Sequence, residues 1–363
     1  MKKGILVFSG FNTRAVIAFI RTLEKNNVLF GIIAKSNIDD IFQTDYAKKV
    51  VSVRNSIPLD LNDMLNSIEK ANINLKCNEY IIAPSTEALN RFILKHIDSF
   101  EDKKCIFPTV ERKLYEKISD KYSFETLCKD FRIKTPAEYL TIHDISLPFV
   151  AKPKQYFSDN HQIYSPIIIN SDTEFEKFLC DYNQEDFYYQ EYVDGRCIYL
   201  LYYFYKNNKI DKFSQENFLQ QEEGKSMLVA KSSNYHNSSI SNKFEKLFVA
   251  ISFRGFVMIE LKYNNKEFVM IEANPRFWGP SQLFVDANMN LFESFLCDFE
   301  ILKERKIVHN EKQVLYFWDD GVSENFKERK ELAYYNYTMR EFKEELPMLN
   351  KIEIFNKKDT IKL

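Results

Sequence analysis

Phe256-Val-Met-Ile-Glu-Leu-Lys-Tyr-Asn-Asn-Lys-Glu-Phe-Val-Met-Ile-Glu-Ala-Asn-Pro-Arg-Phe-Trp-Gly279 is the stretch around which the chain is organised. Two apolar runs, each ending in a carboxylate, flank the polar segment Asn264-Asn265-Lys266. Short runs rich in β-branched and aromatic residues predict two antiparallel strands joined by a tight loop. Side chains alternate faces along a strand, so Met258 and Glu260 share one face, as do Met270, Glu272 and Asn274. A three-residue loop over 264–266 pairs Tyr263 with Glu267 and Glu260 with Met270, which sets Glu260 and Glu272 diagonally on one face. A two-residue loop sets them on opposite faces. Asn tolerates the left-handed conformation that three-residue hairpins need, which favours the first register.

Two carboxylates and an amide on one sheet face, with Arg276 just beyond, form a hard oxygen site. Mg²⁺ suits such a set, since it takes one or two carboxylates plus substrate phosphates and water. Pro275 ends the second strand because it cannot donate to the ladder.

The spacing Glu260, Glu272, then Ala-Asn-Pro-Arg resembles the metal-binding hairpin of the ATP-grasp superfamily. The continuation Phe-Trp-Gly-Pro-Ser-Gln-Leu-Phe-Val-Asp-Ala-Asn resembles its carbamoyl-phosphate-synthetase-like, carboxylate–amine ligase branch. The resemblance implies ATP and Mg²⁺ as cofactors, with Mn²⁺ as an alternative. It makes Glu260, Glu272 and Asn274 the metal ligands.

Upstream, Asp120-Lys121 lies in a run with helical spacing from Glu111 to Leu127, and the resemblance carries Lys121 over as a phosphate-binding lysine. Leu147-Pro-Phe-Val-Ala-Lys-Pro153 is an apolar strand ending on a lysine, and Lys152 becomes the second such residue. A compact ammonium can neutralise charge on a transferring phosphoryl group. Asp186-Phe-Tyr-Tyr-Gln-Glu-Tyr-Val-Asp-Gly195 resembles the adenine hinge, with Gln190, Glu191 and Val193 as its contacts. Lys152 and Arg276 are then the catalytic candidates. The chain departs from the family in one place: residues 154–164 contain no glycine where relatives fold a glycine-rich loop over the triphosphate. Ser158, Asn160 or His161 could supply donors there.

The composition is that of a globular protein. A chain of 363 residues, 45% hydrophobic with a net charge of −2, is long enough for two or three domains. The near-neutral balance gives no reason to expect nucleic acid or an anionic membrane as partner. The six cysteines are scattered without a CxxC pair, which reads as reduced thiols in a cytoplasmic protein. The opening apolar run stops at Ser9-Gly10, too soon for a signal peptide, and no run approaches eighteen apolar residues.

The expected fold is α/β. A Rossmann-like domain over 1–107 precedes an ATP-grasp domain of two α+β subdomains over 108–305, its lid near 130–192. A small C-terminal extension covers 306–363. Strands at 4–10, 28–34 and 80–84 alternate with helical segments, which implies a parallel sheet. The loop Ser9-Gly10-Phe-Asn12-Thr13-Arg14 sits where such sheets bind ligands, but the dinucleotide fingerprint lacks its glycines, which sets a dehydrogenase aside. Residues 215–232 are polar and read as a loop. Residues 281–303 and 324–345 read as helical. The implied activity is an ATP-dependent ligase joining a small carboxylate to an amine through an acyl phosphate, with a second copy of the chain as a candidate partner. The alternative is a nucleotide-binding protein of weakened catalysis.

Overall fold

In a computed structural model, residues 2–156, 163–305 and 313–360 are described. The donors expected at Ser158, Asn160 and His161 lie outside these residues. The first unit is a five-stranded parallel sheet in the order β3-β2-β1-β4-β5. It comprises β1 (Lys3–Phe8), α1 (Thr13–Lys25), β2 (Phe30–Ala34), β3 (Val50–Val53), α2 (Leu61–Leu75), β4 (Glu79–Ile82), α3 (Glu87–Lys95), α4 (Ile97–Glu101) and β5 (Cys105–Ile106). β1 and β2 are buried along nearly their whole length, as strands covered by helices on both faces must be. Thr86 caps α3, accepting from the Leu89 backbone N–H at 3.2 Å.

Two helices follow, α5 (Arg112–Ser119) and α6 (Lys121–Asp130). The single helix expected over 111–127 is broken because the Asp120 side chain accepts from the Ser123 N–H and caps a new one. A four-stranded sheet in the order β6-β9-β7-β8 comes next. It is built from β6 (Glu138–Tyr139), β7 (Phe149–Pro153), β8 (Ile167–Ile169) and β9 (Phe187–Glu191), with α7 (Asp172–Asp181) packed on it. Its edge strand β6 is short, pairing with β9 only through Glu138–Gln190 and Tyr139–Tyr189.

The large sheet runs β14-β13-β10-β11-β12-β15, with β16 pairing to β11. Its strands are β10 (Arg196–Phe204), β11 (Ile210–Gln220), β12 (Met227–Ser233), β13 (Gly255–Tyr263), β14 (Phe268–Asn274), β15 (Leu315–Phe317) and β16 (Ala333–Tyr334). The helices α8 (Ser239–Ala250), α9 (Gln282–Asp286), α10 (Leu291–Asp298), α11 (Asp319–Lys327) and α12 (Met339–Ile352) complete the chain. Much of the expected 215–232 loop is therefore strand. Its polar residues Gln215, Asn217 and Gln220 are buried but bonded: Gln215 donates to Asn217 at 2.8 Å and Gln220 to the Gly224 carbonyl at 3.0 Å. The helix expected over 281–303 divides at Asn290, which caps α10 through the Phe292 N–H. The one expected over 324–345 gives way to β16 between α11 and α12.

The two faces of the large sheet explain where a site can form. Ile198, Leu200, Tyr202, Val257 and Ile259 pack in one core with α5, α6 and α8. Their alternates Tyr199, Leu201, Tyr203, Phe256 and Met258 pack in another with α1, α9 and α10. Phe277, just after β14, is fully buried among Phe19 of α1, Phe256 and Phe292, at ring separations of 5.0, 5.1 and 4.8 Å. Burying one such ring contributes roughly 2–3 kcal/mol, so it fastens the first unit to the end of the hairpin. Further along β13 the same face becomes polar at Glu260 and Lys262. Among the described residues no helix is long and apolar enough to cross a membrane, and all six cysteines are free.

A pH response follows from one half-buried residue of this frame. His236 lies beyond β12, its Nδ1 2.8 Å from Ser214 Oγ and its ring stacked on Phe213. Burial and the neighbouring Lys212 push its pKa down to about 4. The unfolded chain takes up this proton near pH 6.5 and the folded chain only near 4. Its contribution to stability is thus complete above 6.5 and lost as the pH falls towards 4. Thermal unfolding at about pH 7 and about pH 5 should show a larger drop for the wild type than for His236→Gln. Equal drops would remove His236 from the account.

Candidate active site

The hairpin places Glu260 directly opposite Glu272, and Met258 opposite Asn274. The register differs from the one expected. Tyr263 pairs with Phe268, so the loop has four residues, which in a regular ladder would put the two carboxylates on opposite faces. A β-bulge restores the common face: the pairing steps from Glu260–Glu272 to Leu261–Met270 and leaves Ile271 as the extra residue. The bulge also frees the Ile271 carbonyl, which accepts from Lys152 Nζ at 3.2 Å.

Glu272, Asn274 and Arg276 form a chain. Asn274 Nδ2 donates to Glu272 Oε1 at 2.7 Å, and Arg276 Nη2 donates to Asn274 Oδ1 at 3.1 Å. Lys121, the first residue of α6, meets Glu272 Oε2 at 2.8 Å. Burial alone would raise the Glu272 pKa, but the charge and hydrogen bonds of Lys121 and Asn274 outweigh it and hold the carboxyl down at about 2. Glu260 is driven the other way, up to about 7, by burial and by the charge of Glu272. Like charges facing each other in a desolvated corner separate in this manner. Among the described residues the hydrogen-bond partner of Glu260 is a thiol, Cys197 Sγ, at 3.4 Å.

These residues line one cavity of about 470 Å³, which Gln190, Glu191 and Val193 also line. Lys121, Lys152, Glu260, Glu272, Asn274 and Arg276, singled out from the sequence, thus face the same space as Gln190, Glu191 and Val193. Gln190 does so in part: its side chain is buried and donates to Glu125, and Glu191 accepts from the Ala137 N–H at 3.0 Å.

Three solved structures share this architecture. N5-carboxyaminoimidazole ribonucleotide synthetase from Thermus thermophilus superposes with a TM-score of 0.64 at 13% identity, covering 86% of this chain and 82% of that one. A biotin carboxylase–β,γ-ATP complex from Campylobacter jejuni gives 0.65 at 12% identity, covering 87% and 75%. An L-amino acid ligase from Bacillus licheniformis gives 0.55 at 12%, covering 81% and 73%. The chain has the ATP-grasp fold. No family model and no curated protein matches its sequence.

Within this ATP-grasp frame, one central residue escaped the sequence. Glu125 of α6 is buried and gathers three donors: Lys152 Nζ at 3.2 Å, Tyr188 Oη at 3.1 Å and Gln190 Nε2. It lies one helical turn after Lys121, so α6 sends one charge of each sign into the cavity wall. The only signal was a carboxylate among Phe124, Leu127 and Cys128, on the apolar side of a short helix. Burial pushes the Lys152 pKa down while Glu125 opposes that shift. Cys197 was missed as well; it receives a hydrogen bond from Asn217 at 3.3 Å and passes one to Glu260.

Removing one member of a buried ion pair leaves the other unpaired, which costs about 3–5 kcal/mol. Glu125→Gln should therefore lower the unfolding free energy by about 3 kcal/mol in urea titration, and Lys152→Met in the same chain should restore part of it. An unchanged midpoint in Glu125→Gln would show that the pair contributes nothing.

Proposed function

We propose that the protein is an ATP- and Mg²⁺-dependent carboxylate–amine ligase, working through an acyl phosphate and releasing ADP and phosphate. The observation that carries this reading is the paired Glu260–Glu272 corner with Asn274, facing Lys121, Lys152 and Arg276 in one cavity. A synthetase and an amino acid ligase among the similar structures support it.

The donor set fits a hard divalent cation. It holds two carboxylates and an amide, and among the described residues no cluster of three acidic, cysteine or histidine side chains forms a closed cage. That is the pattern of a cation completed by substrate phosphates and water. Glu260, raised towards neutrality, and Glu272, already balanced by Lys121, would hold Mg²⁺, with Mn²⁺ as the alternative and Asn274 beside them. When bound, the cation neutralises charge on the ATP phosphates.

The remaining chemistry falls to the chain's own side chains. Lys121 and Lys152 both engage β14's carboxyl half, one at Glu272 and one at the Ile271 carbonyl. Both can turn from these partners to γ-phosphate oxygens and stabilise the charge in transfer. The substrate carboxylate attacks the γ-phosphorus, the bond to the leaving ADP oxygen breaks, and a mixed anhydride forms. Arg276, whose Nη1 and Nη2 are fixed by the Phe277 carbonyl and Asn274, presents a planar fork suited to that carboxylate. An amine then attacks the acyl carbon and expels phosphate. Gln190, Glu191 and Val193 on β9 and beyond it bound the base end.

A nucleotide-binding protein of weakened catalysis is the competing reading, favoured by the glycine-free sequence at 154–164. ADP release measured over a panel of carboxylates and amines separates the two. Glu272→Ala should lower the rate about hundredfold or more, the scale for losing one charge-stabilising group. If no combination yields ADP, or if the variant matches the wild type, the ligase reading fails.

A further inference from the structure

Register fixes the order of the cavity along β13. Glu260, paired with Glu272, stands in the middle, and Met258, paired with Asn274, lies towards Arg276. Lys262 lies on the same face two residues the other way, about 7 Å beyond Glu260 at roughly 3.4 Å per residue. That is the end where the chain passes from Val193 into β10. Lys262 pairs with Cys197 and Tyr263 with Arg196. Gly195, at φ +143°, packs so tightly on the Tyr263 carbonyl that a Cβ there would come within 2.5 Å of it.

Lys262 is a buried cation whose ammonium meets the Tyr335 side chain, with Cys197 and Glu260 as its nearby negative or polarisable groups. It is only 8% exposed and lines the cavity. Among the described residues no carboxylate lies within ion-pair distance of its ammonium. Its close neighbour is an aromatic side chain, with Nζ 4.0 Å from the ring centre of Tyr335. Tyr335 also lines the cavity and belongs to the segment after β16, held by its backbone N–H to the Phe218 carbonyl at 2.9 Å. An ammonium has three donors, and the tyrosine beside it can meet at most one of them. Leaving buried charged donors unmet is costly, so the arrangement fits a ligand that brings an acceptor.

We propose that Lys262, stacked on Tyr335, is a nucleoside-recognition residue. Its ammonium donates to an acceptor atom of the bound nucleotide on the far side of the metal corner from the transferring phosphate, either a ring nitrogen of the base or a 2′- or 3′-hydroxyl oxygen of the ribose. The C-terminal segment completes the nucleotide pocket by supplying Tyr335. This rests on the proposed binding of ATP and deepens it. Apolar Val150 and Ile168, from the four-stranded sheet, line the cavity too and can pack on the base.

The test is equilibrium binding of four probes, namely MgATP, adenosine, 2′,3′-dideoxyadenosine and tripolyphosphate, to wild type, Lys262→Met and Tyr335→Leu. Lys262→Met keeps most of the stem and removes the charge. Its affinity for MgATP and for adenosine should fall by the same factor, about tenfold to hundredfold for a lost charged hydrogen bond, with tripolyphosphate unchanged. Tyr335→Leu should lose affinity for adenosine in the same direction. Dideoxyadenosine assigns the acceptor: equal binding by wild type and Lys262→Met marks ribose, and a loss like that of adenosine marks the base. A loss confined to tripolyphosphate, or no loss with adenosine, overturns the proposal while the nucleotide reading stands. A wild type that binds none of the probes overturns both.

Discussion

The bulge at Ile271 is the constraint on which the site depends. With a four-residue loop, a regular ladder would bring Glu260 opposite Ile271 and turn Glu272 to the other face, into the core formed with α5, α6 and α8. One extra residue reverses that parity. It also stops Ile271 from completing the ladder, and the freed carbonyl becomes an acceptor for Lys152. The strand on the near side of the bulge is tied down separately, by the Met270 N–H to the Lys134 carbonyl at 2.9 Å. A single irregularity therefore joins the Glu260–Glu272 corner to Lys152 of a different sheet.

Charge balance follows from that geometry. The corner holds two carboxylates facing each other, and the surrounding cations are distributed unequally. Glu272 takes Lys121 and Asn274; Glu260 takes a thiol. Lys152, a step away, is given its own carboxylate in Glu125, which also holds Tyr188 and Gln190. Buried pairs of this kind add little net stability because desolvation offsets their attraction. Their effect is to hold the cavity wall in one arrangement, so that lysines and carboxylates reach a common space from α6, β7, β13 and β14.

Much of this was legible in the sequence. The spacing from Glu260 to Glu272 to Asn274, a lysine within a helical run and another at the end of a strand are local patterns. The alternation of strand and helix over the first hundred residues likewise announces a parallel sheet. What stayed hidden has physical reasons. The bulge carries no glycine or proline to mark it, and the conclusion about Glu260 and Glu272 held although its stated cause, a three-residue loop, did not. Glu125 looks like any charged residue of a short helix until the four-stranded sheet is packed against it. Gln215, Asn217 and Gln220 made β11 read as a loop, because polarity in sequence does not reveal that buried amides are bonding each other and nearby backbone. Tyr335 is more than seventy residues from the strand it touches.

The last step concerns how the parts are held in register with one another. Asn12, in the left-handed region at φ 50°, turns its amide between two carbonyls, Ser85 at 2.9 Å and Phe277 at 3.2 Å. The Phe277 N–H returns to the Pro84 carbonyl at 3.0 Å. The loop ends of β1 and β4 are thereby stitched to the residue that follows Arg276. Arg14, two residues on, lies with its guanidinium 3.7 Å from the Trp318 ring and donates to the Met227 carbonyl, which ties in β12 and the C-terminal segment. Gly279 leaves the room for it, since a Cβ there would stand 2.7 Å from the guanidinium carbon. The first unit and the C-terminal segment thus meet at the Arg276 end of the cavity, while Tyr335 of that same segment reaches the Lys262 end. Both ends of the site are closed by chain that lies outside the hairpin, and the hairpin alone fixes only the middle.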